Sequence, residues 1–335
     1  MKEISYILLF LNLLLLSNQQ DSIERKPLVT DLFTADPSAH VFEDKIYIYP
    51  SHDENDANEY NMRDYHVYVM PDTQTLPTDL GVVLKLEDIP WASEYLWAPD
   101  CVEKNGKYYF VFPAKDKQGR FRIGIAIGDN PGGPFTPEPN YIEGSYSIDP
   151  CMFPDDDGQY YMTFGGLMGG QLDKYKNNQW NDMNREPKGN EEAIMPKIVL
   201  MKDNLLEMAE APRDLVLTDE NGPLSGGDGN RRFFEAPWMF KKDGIYYFTY
   251  STGGSHLLCY ATSKTVYGPY TYRGVILTPV SGWTTHHSIL EFKGKWYLFY
   301  HDAERSGGVS TRRNIKFTSL QFKENGDIVT INGSG

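Results

Sequence analysis

Apolar positions in this chain fall in short bursts with aromatic residues doubled inside them, and the bursts come in pairs. In IYIYP from Ile46, YYFVF from Tyr108, YYMTF from Tyr160, IYYFTY from Ile245 and WYLFY from Trp296, apolar residues run together and stop at a small or polar one. Runs this short, rich in aromatic and β-branched side chains and bounded by turn residues, predict strands rather than helices. A second apolar stretch and a turn containing Gly or Asp-Lys precede each run. The unit is therefore a β-hairpin written five times: DPSAHVFEDKIYIYPS from Asp36, APDCVEKNGKYYFVFPA from Ala98, DPCMFPDDDGQYYMTFGG from Asp149, APWMFKKDGIYYFTYST from Ala236 and HHSILEFKGKWYLFYHD from His286.

The register between copies is tight. Pro37 to Tyr47, Pro99 to Tyr109, Pro237 to Tyr247 and His287 to Tyr297 are each ten residues apart; Pro150 to Tyr161 is eleven, with the extra residue in the Asp155-Asp156-Asp157-Gly158 turn. The aligned tyrosines recur at intervals of 62, 52, 86 and 50 residues, a period that holds four short strands, with one long insertion between the third and fourth copies. Five four-stranded sheets, none able to bury both faces by itself, predict an all-β fold, a five-bladed β-propeller. The polar stretch from Asn177 to Glu192 is expected to be a long surface loop, and His52-Asp53-Glu54-Asn55-Asp56 a solvated loop near the channel mouth.

In a propeller the innermost strands line a central channel, so residues at equivalent repeat positions converge although they are distant in sequence. Each repeat begins with Asp36, Ala98, Asp149, Ala236 or His286, and one residue earlier stand Ala35, Trp97, Ile148, Glu235 and Thr285. Three carboxylates, a histidine and a tryptophan are thus expected at one end of the channel. The acids are flanked by small or apolar neighbours, as in Ala35-Asp36-Pro37 and Phe234-Glu235-Ala236. Carboxylates gathered in such surroundings push one another's proton affinities apart, which lets one act as an acid and another as a base.

Composition narrows the possible partners. With 32 basic and 46 acidic residues among 335, the net charge of −14 argues against nucleic-acid binding, which needs a basic surface. Aromatic content of 14%, 30 Gly and 21 Pro suit short strands and tight turns. Cys101, Cys151 and Cys259 are too scattered for a disulfide framework or a zinc site and read as buried free thiols. At the N-terminus Lys2 precedes an apolar run from Tyr6 to Leu16 that is shorter than the ~20 residues a bilayer span needs. Residues 1–20 are therefore expected to be a secretory leader, with a single propeller domain over 28–335, export to the periplasm or outside the cell, and no membrane insertion of the mature chain.

TADPSAHVF, SIDPCMF and FFEAPWMFKKDGIYYFTYS resemble the three catalytic signatures of glycoside hydrolase family 43, and WAPD, THHSILEFKGKWYLFYHD and the later Arg-Arg-Asn resemble its secondary motifs. The resemblance runs from Leu32 to the C-terminus. It implies a five-bladed propeller that hydrolyses glycosides with inversion, Asp36 being the general base, Glu235 the general acid and Asp149 the residue that orients the acid and raises its pKa. It also implies a calcium ion, largely water-coordinated, on the propeller axis, with His286 or His287 as its protein ligand, and no organic cofactor. Arg313 resembles a substrate-facing arginine, with Arg231 and Arg232 competing for that role and Arg312 expected to point away; Trp97, Trp283 and His286 are candidate substrate contacts. The pattern is most similar to the xylosidase branch, acting on xylo-oligosaccharide or arabinoxylan. An α-L-arabinofuranosidase, an endo-arabinanase and a non-catalytic sugar-binding propeller stand as alternatives.

Overall fold

The computed structural model describes residues 22–56, 58–283 and 286–334; the expected leader and Thr285 lie outside them. Five antiparallel hairpins form where the repeat marks them. They are Phe33–Phe42 with Lys45–Asp53, Asp100–Lys104 with Lys107–Asp116, Cys151–Pro154 with Tyr160–Phe164, Glu235–Lys242 with Ile245–Ser251, and His287–Phe292 with Lys295–Asp302. All five aligned tyrosines sit in the second strand, paired with His40, Val102, Phe153, Phe240 and Leu290. Further strands extend each hairpin outward into a blade, giving the five-bladed propeller.

A uniform four strands per blade does not hold. Blade five has three named strands, ending with Asn314–Leu320, and its outer edge is covered from the other end of the sequence. There Arg25 N–H donates to Phe317 O at 2.8 Å and Leu28 N–H to Ile315 O at 2.9 Å. This latches the last blade to the chain that enters the first and satisfies backbone groups an open edge would leave bare. Blade four is wider than expected. The hairpin Leu217–Asp219/Gly222–Pro223 joins it in parallel beside Tyr270, and Ile331 bridges to Leu277. The long insertion opens with a small hairpin, Tyr175–Lys176 with Gln179–Trp180, before running irregularly over the surface.

Because every blade is sandwiched between two others, its second strand is buried on both faces, and this is why the aromatic runs do not alternate with polar residues. Ile245–Ser251 is buried at every position after the first, and Phe110, Phe112, Phe248 and Phe299 are wholly inaccessible. Each such ring contributes roughly 2–3 kcal/mol. The three cysteines are free and buried. Asp155 to Gly158 forms a turn, closed by Gly158 N–H to Asp155 O at 3.0 Å. The Asp155 carboxylate receives Lys241 Nζ at 2.9 Å and the Tyr246 hydroxyl at 2.7 Å, which ties blade three to blade four.

Candidate active site

The carboxylates are aimed into the pocket by the backbone around the start of the inner strands. Asp36, Asp149 and Ala236 all have positive φ, 51°, 56° and 61°, and each precedes a proline. The pairing slips at the same place, between Ala35 and Ser38 in blade one and between Glu235 and Trp238 in blade four. Proline disfavours the right-handed helical basin for the residue before it, and a bulge re-aims the neighbouring side chain. Left-handed backbone at a non-glycine residue costs of order 1–3 kcal/mol and persists where its surroundings hold it. Glu235 occupies the position of Ala35, opposite Ser251 as Ala35 is opposite Ser51, so base and acid candidates are offset by one register step on different blades.

A pocket of about 690 Å³ opens over these residues and is lined by Asp36, Asp149, Glu235, Trp97, His286 and Arg313, with Trp283 at its rim. Of the residues expected there, His287, Arg231 and Arg232 do not line it. His287 is fully buried beneath, with Nε2 bonded to Thr249 Oγ1 at 2.6 Å. Arg231 is taken up by Asp219 and Asp228, and Arg232 lines a neighbouring depression. Trp97 donates its indole N–H to Tyr60 O at 2.7 Å and packs on Phe121; Trp283 is half exposed and meets His256 edge to face.

Asp36 is saturated with donors. Ser51 Oγ donates to Oδ2 at 2.6 Å and Arg313 Nη1 to Oδ1 at 2.9 Å, while the Asp36 amide donates to His301 Nδ1 at 3.0 Å. Burial would raise its pKa, but the Arg313 guanidinium, His301, His286 and the Ser51 hydroxyl outweigh it and bring the group to about 2. Arg313 is held rigidly, with Nε and Nη2 on the two oxygens of Asp53 at 2.9 and 2.8 Å and its guanidinium 5.1 Å from the Tyr60 ring.

Glu235 is treated differently: its carboxyl makes no hydrogen bond among the described residues. Burial foremost, then the Asp36 charge, push it up to about 7 against the opposing pull of Arg313. Asp149, whose Oδ2 accepts the Ala236 amide at 2.9 Å, is also raised by burial, by Glu235 and by Asp36. The two compete for protons, since ionisation of either disfavours ionisation of the other. His286 Nδ1 lies 3.8 Å from Asp36 Oδ1 and 3.7 Å from Asp149 Oδ2, and burial lowers its pKa to about 4, so the ring is neutral.

Several participants were not legible as site residues. Tyr60 and Met62 come from the connection after the second strand of blade one. Asp53, expected in a solvated loop, ends a strand at 2% exposure because it meets Arg313 across the ring closure. Leu167, Met168 and Gly169 arrive on the loop after blade three's second strand, stitched down by Leu167 N–H to Phe234 O and Gly165 N–H to Ile148 O. A Cβ on Gly166 or Gly170 would sit 2.5 or 2.6 Å from Ile148 Cδ1, so these glycines allow the loop to join the residues preceding Asp149 and Glu235. Asp100 of the WAPD motif is a staple: it accepts Ser38 Oγ and His40 Nε2, both at 2.6 Å, and the Met152 amide at 2.6 Å, binding blades one, two and three.

The axial donors suit a hydrated cation better than a caged one. Among the described residues, three carboxylate or imidazole donors do not come together there; a neutral His286 faces the pocket, and His287 Nδ1 is buried without a partner. Calcium normally takes six to eight oxygens, so an ion anchored here through one imidazole would owe most of its coordination to water.

One carboxyl held ionised, another held protonated near neutrality, and aromatic walls around both meet the demands of acetal hydrolysis and put the chain among the glycoside hydrolases. The sequence profile of glycosyl hydrolases family 43 matches residues 25–328. A xylosidase/arabinosidase of Bacteroides ovatus is 54% identical over 319 residues, covering 92% of this chain and 98% of its own. The RS223 β-xylosidase structure superposes with a TM-score of 0.90 at 55% identity, over 92% of this chain and 99% of that one. A compost-metagenome β-xylosidase/α-arabinofuranosidase, solved with xylotriose in a calcium-free form, gives 0.90 at 53% identity, over 93% and 98%. The chain belongs to glycosyl hydrolases family 43.

Proposed function

We propose that this enzyme is an exo-acting, inverting β-1,4-xylosidase that releases xylose from xylo-oligosaccharides and also accepts α-L-arabinofuranosides. The observation that carries the mechanism is the split between Asp36, held near 2, and Glu235, raised to about 7, across one pocket. Asp36 takes a proton from water as the water oxygen bonds to the anomeric carbon. The bond from that carbon to the leaving oxygen breaks, and Glu235 gives its proton to that oxygen. Asp149, fixed by the Ala236 amide, competes with the acid for protons, so that ionisation of Asp149 favours the protonated form of Glu235. Trp97 and Trp283 offer apolar faces to the sugars. A calcium ion bound through His286 would supply positive charge that orders water near Asp36. The dual activity is supported by the B. ovatus and compost relatives, whose names carry both activities. The leader-like N-terminus supports export.

The test is hydrolysis of aryl β-D-xylopyranoside and aryl α-L-arabinofuranoside by one preparation, with the first-formed xylose anomer followed by NMR. Preference for the xyloside with α-xylose appearing first is expected. Retention of configuration would overturn the mechanism, and activity on neither glycoside would overturn the function.

A further inference from the structure

On the outer part of blade one, His52, Asp64 and His66 bring one ligand atom each to within 4.8 Å of one another, outside the catalytic pocket. His52 lies on the second strand; Asp64 and His66 are two apart on the third and so share a face. His52 Nδ1 is 2.6 Å from Asp64 Oδ1, and His66 Nε2 is 3.9 Å from the same oxygen. The other nitrogen of His66, Nδ1, lies 2.9 and 3.1 Å from the two oxygens of Asp79 on the fourth strand. That is the arrangement in which a carboxylate fixes the tautomer of a metal-ligating histidine and turns its free nitrogen toward the ion. The side chains of His52, Asp64 and His66 are 13, 24 and 13% accessible, open enough for an ion to enter.

We propose that His52, Asp64 and His66 form a binding site for a borderline transition-metal cation of the zinc class, with water completing the coordination. Two imidazoles and one carboxylate are a poor offer to calcium and a good one to zinc. The axial position, with a single imidazole directed at carboxylates, has the opposite preference. Binding replaces the proton shared between His52 and Asp64 and releases it.

The position gives the ion a consequence. His52 is followed by Asp53, which holds Arg313, and the connection from His52 to Asp64 carries Tyr60 and Met62 into the pocket wall. Ligation at both ends clamps that connection at its feet.

The test uses the whole protein, stripped with chelator, desalted and kept in calcium so that the axial position is satisfied. Zinc chloride is then titrated in competition with a chromophoric chelator. One equivalent per chain is expected, with proton release and a thermal midpoint that climbs with zinc concentration. His66→Gln and Asp64→Asn should weaken binding at least ~100-fold, and Asp79→Asn, which keeps all three ligands, by ~10–100-fold. His286→Gln should leave zinc binding unchanged. Absence of zinc uptake by the wild-type protein, uptake by the Asp64→Asn and Asp79→Asn variants as tight as that of the wild type, or loss on changing His286 instead would overturn the site. Should His66→Gln not fold, Asp79→Asn and the proton count still decide.

Discussion

The two walls of the pocket treat a carboxyl group in opposite ways. Around Asp36 the protein spends hydroxyl, guanidinium and imidazole groups, and the charge stays although the side chain is buried. Around Glu235 it supplies Phe234, Leu167, Met168 and Ile148, and the proton stays instead. Burial is common to both; what separates acid from base is whether the desolvated group is given partners. The contrast also crosses the chain, since the guanidinium and imidazole partners of Asp36 come from the last blade and the neighbours of Glu235 from the loop after blade three.

Removing each carboxyl tests the contrast most directly. Asp36→Ala should lower kcat/KM by about 10³-fold or more on xylobiose and on an aryl xyloside with a very good leaving group alike, because both need an activated water. Glu235→Ala should cost a similar factor on xylobiose but only about tenfold on the activated glycoside, which scarcely needs a proton. Equal losses on the two substrates would remove Glu235 from the acid role.

The walls can next be made more alike. Wild-type activity requires Asp36 ionised and Glu235 protonated, so kcat/KM should fall as pH rises through about 7 and, on the acid side, only on approach to about 2. Arg313 lowers both groups, so Arg313→Met should move both limbs to higher pH. It also strands the buried Asp53 and Asp36 charges, with an expected loss of about 3–5 kcal/mol in denaturant unfolding. An unmoved acid limb would show that Arg313 does not set the ionisation of Asp36. The smallest effect is expected at the rim: Trp283→Ala should raise KM for xylotriose severalfold and leave kcat nearly unchanged, and a large fall in kcat would place the ring nearer the chemistry.

The blades were legible because a strand buried on both faces must be aromatic or aliphatic at successive positions, and five such runs held a common register. The three carboxylates were legible because the same register numbers the positions that meet at the axis. Asp53 and His301 were not, since their importance comes from contacts with Arg313 and Asp36 across the ring, which no local pattern records. Tyr60, Met62 and Met168 sit on connections outside the repeat, where spacing carries no information. His286 and His287 occupy adjacent repeat positions, and the strand's alternation turns one to the pocket and the other into the core.

The latch between residues 25–28 and the outer strand of blade five also bears on how the enzyme is made. Arg313 is 277 positions from the Asp36 it holds ionised, and the first segment after the expected leader must wait for nearly the last strand before its backbone finds a partner. A growing chain therefore carries its base for most of its synthesis without the guanidinium and imidazole that hold it ionised. Catalytic competence arrives as one late event, when the ends of the polymer meet, and a chain that lacks its last blade is an inert precursor.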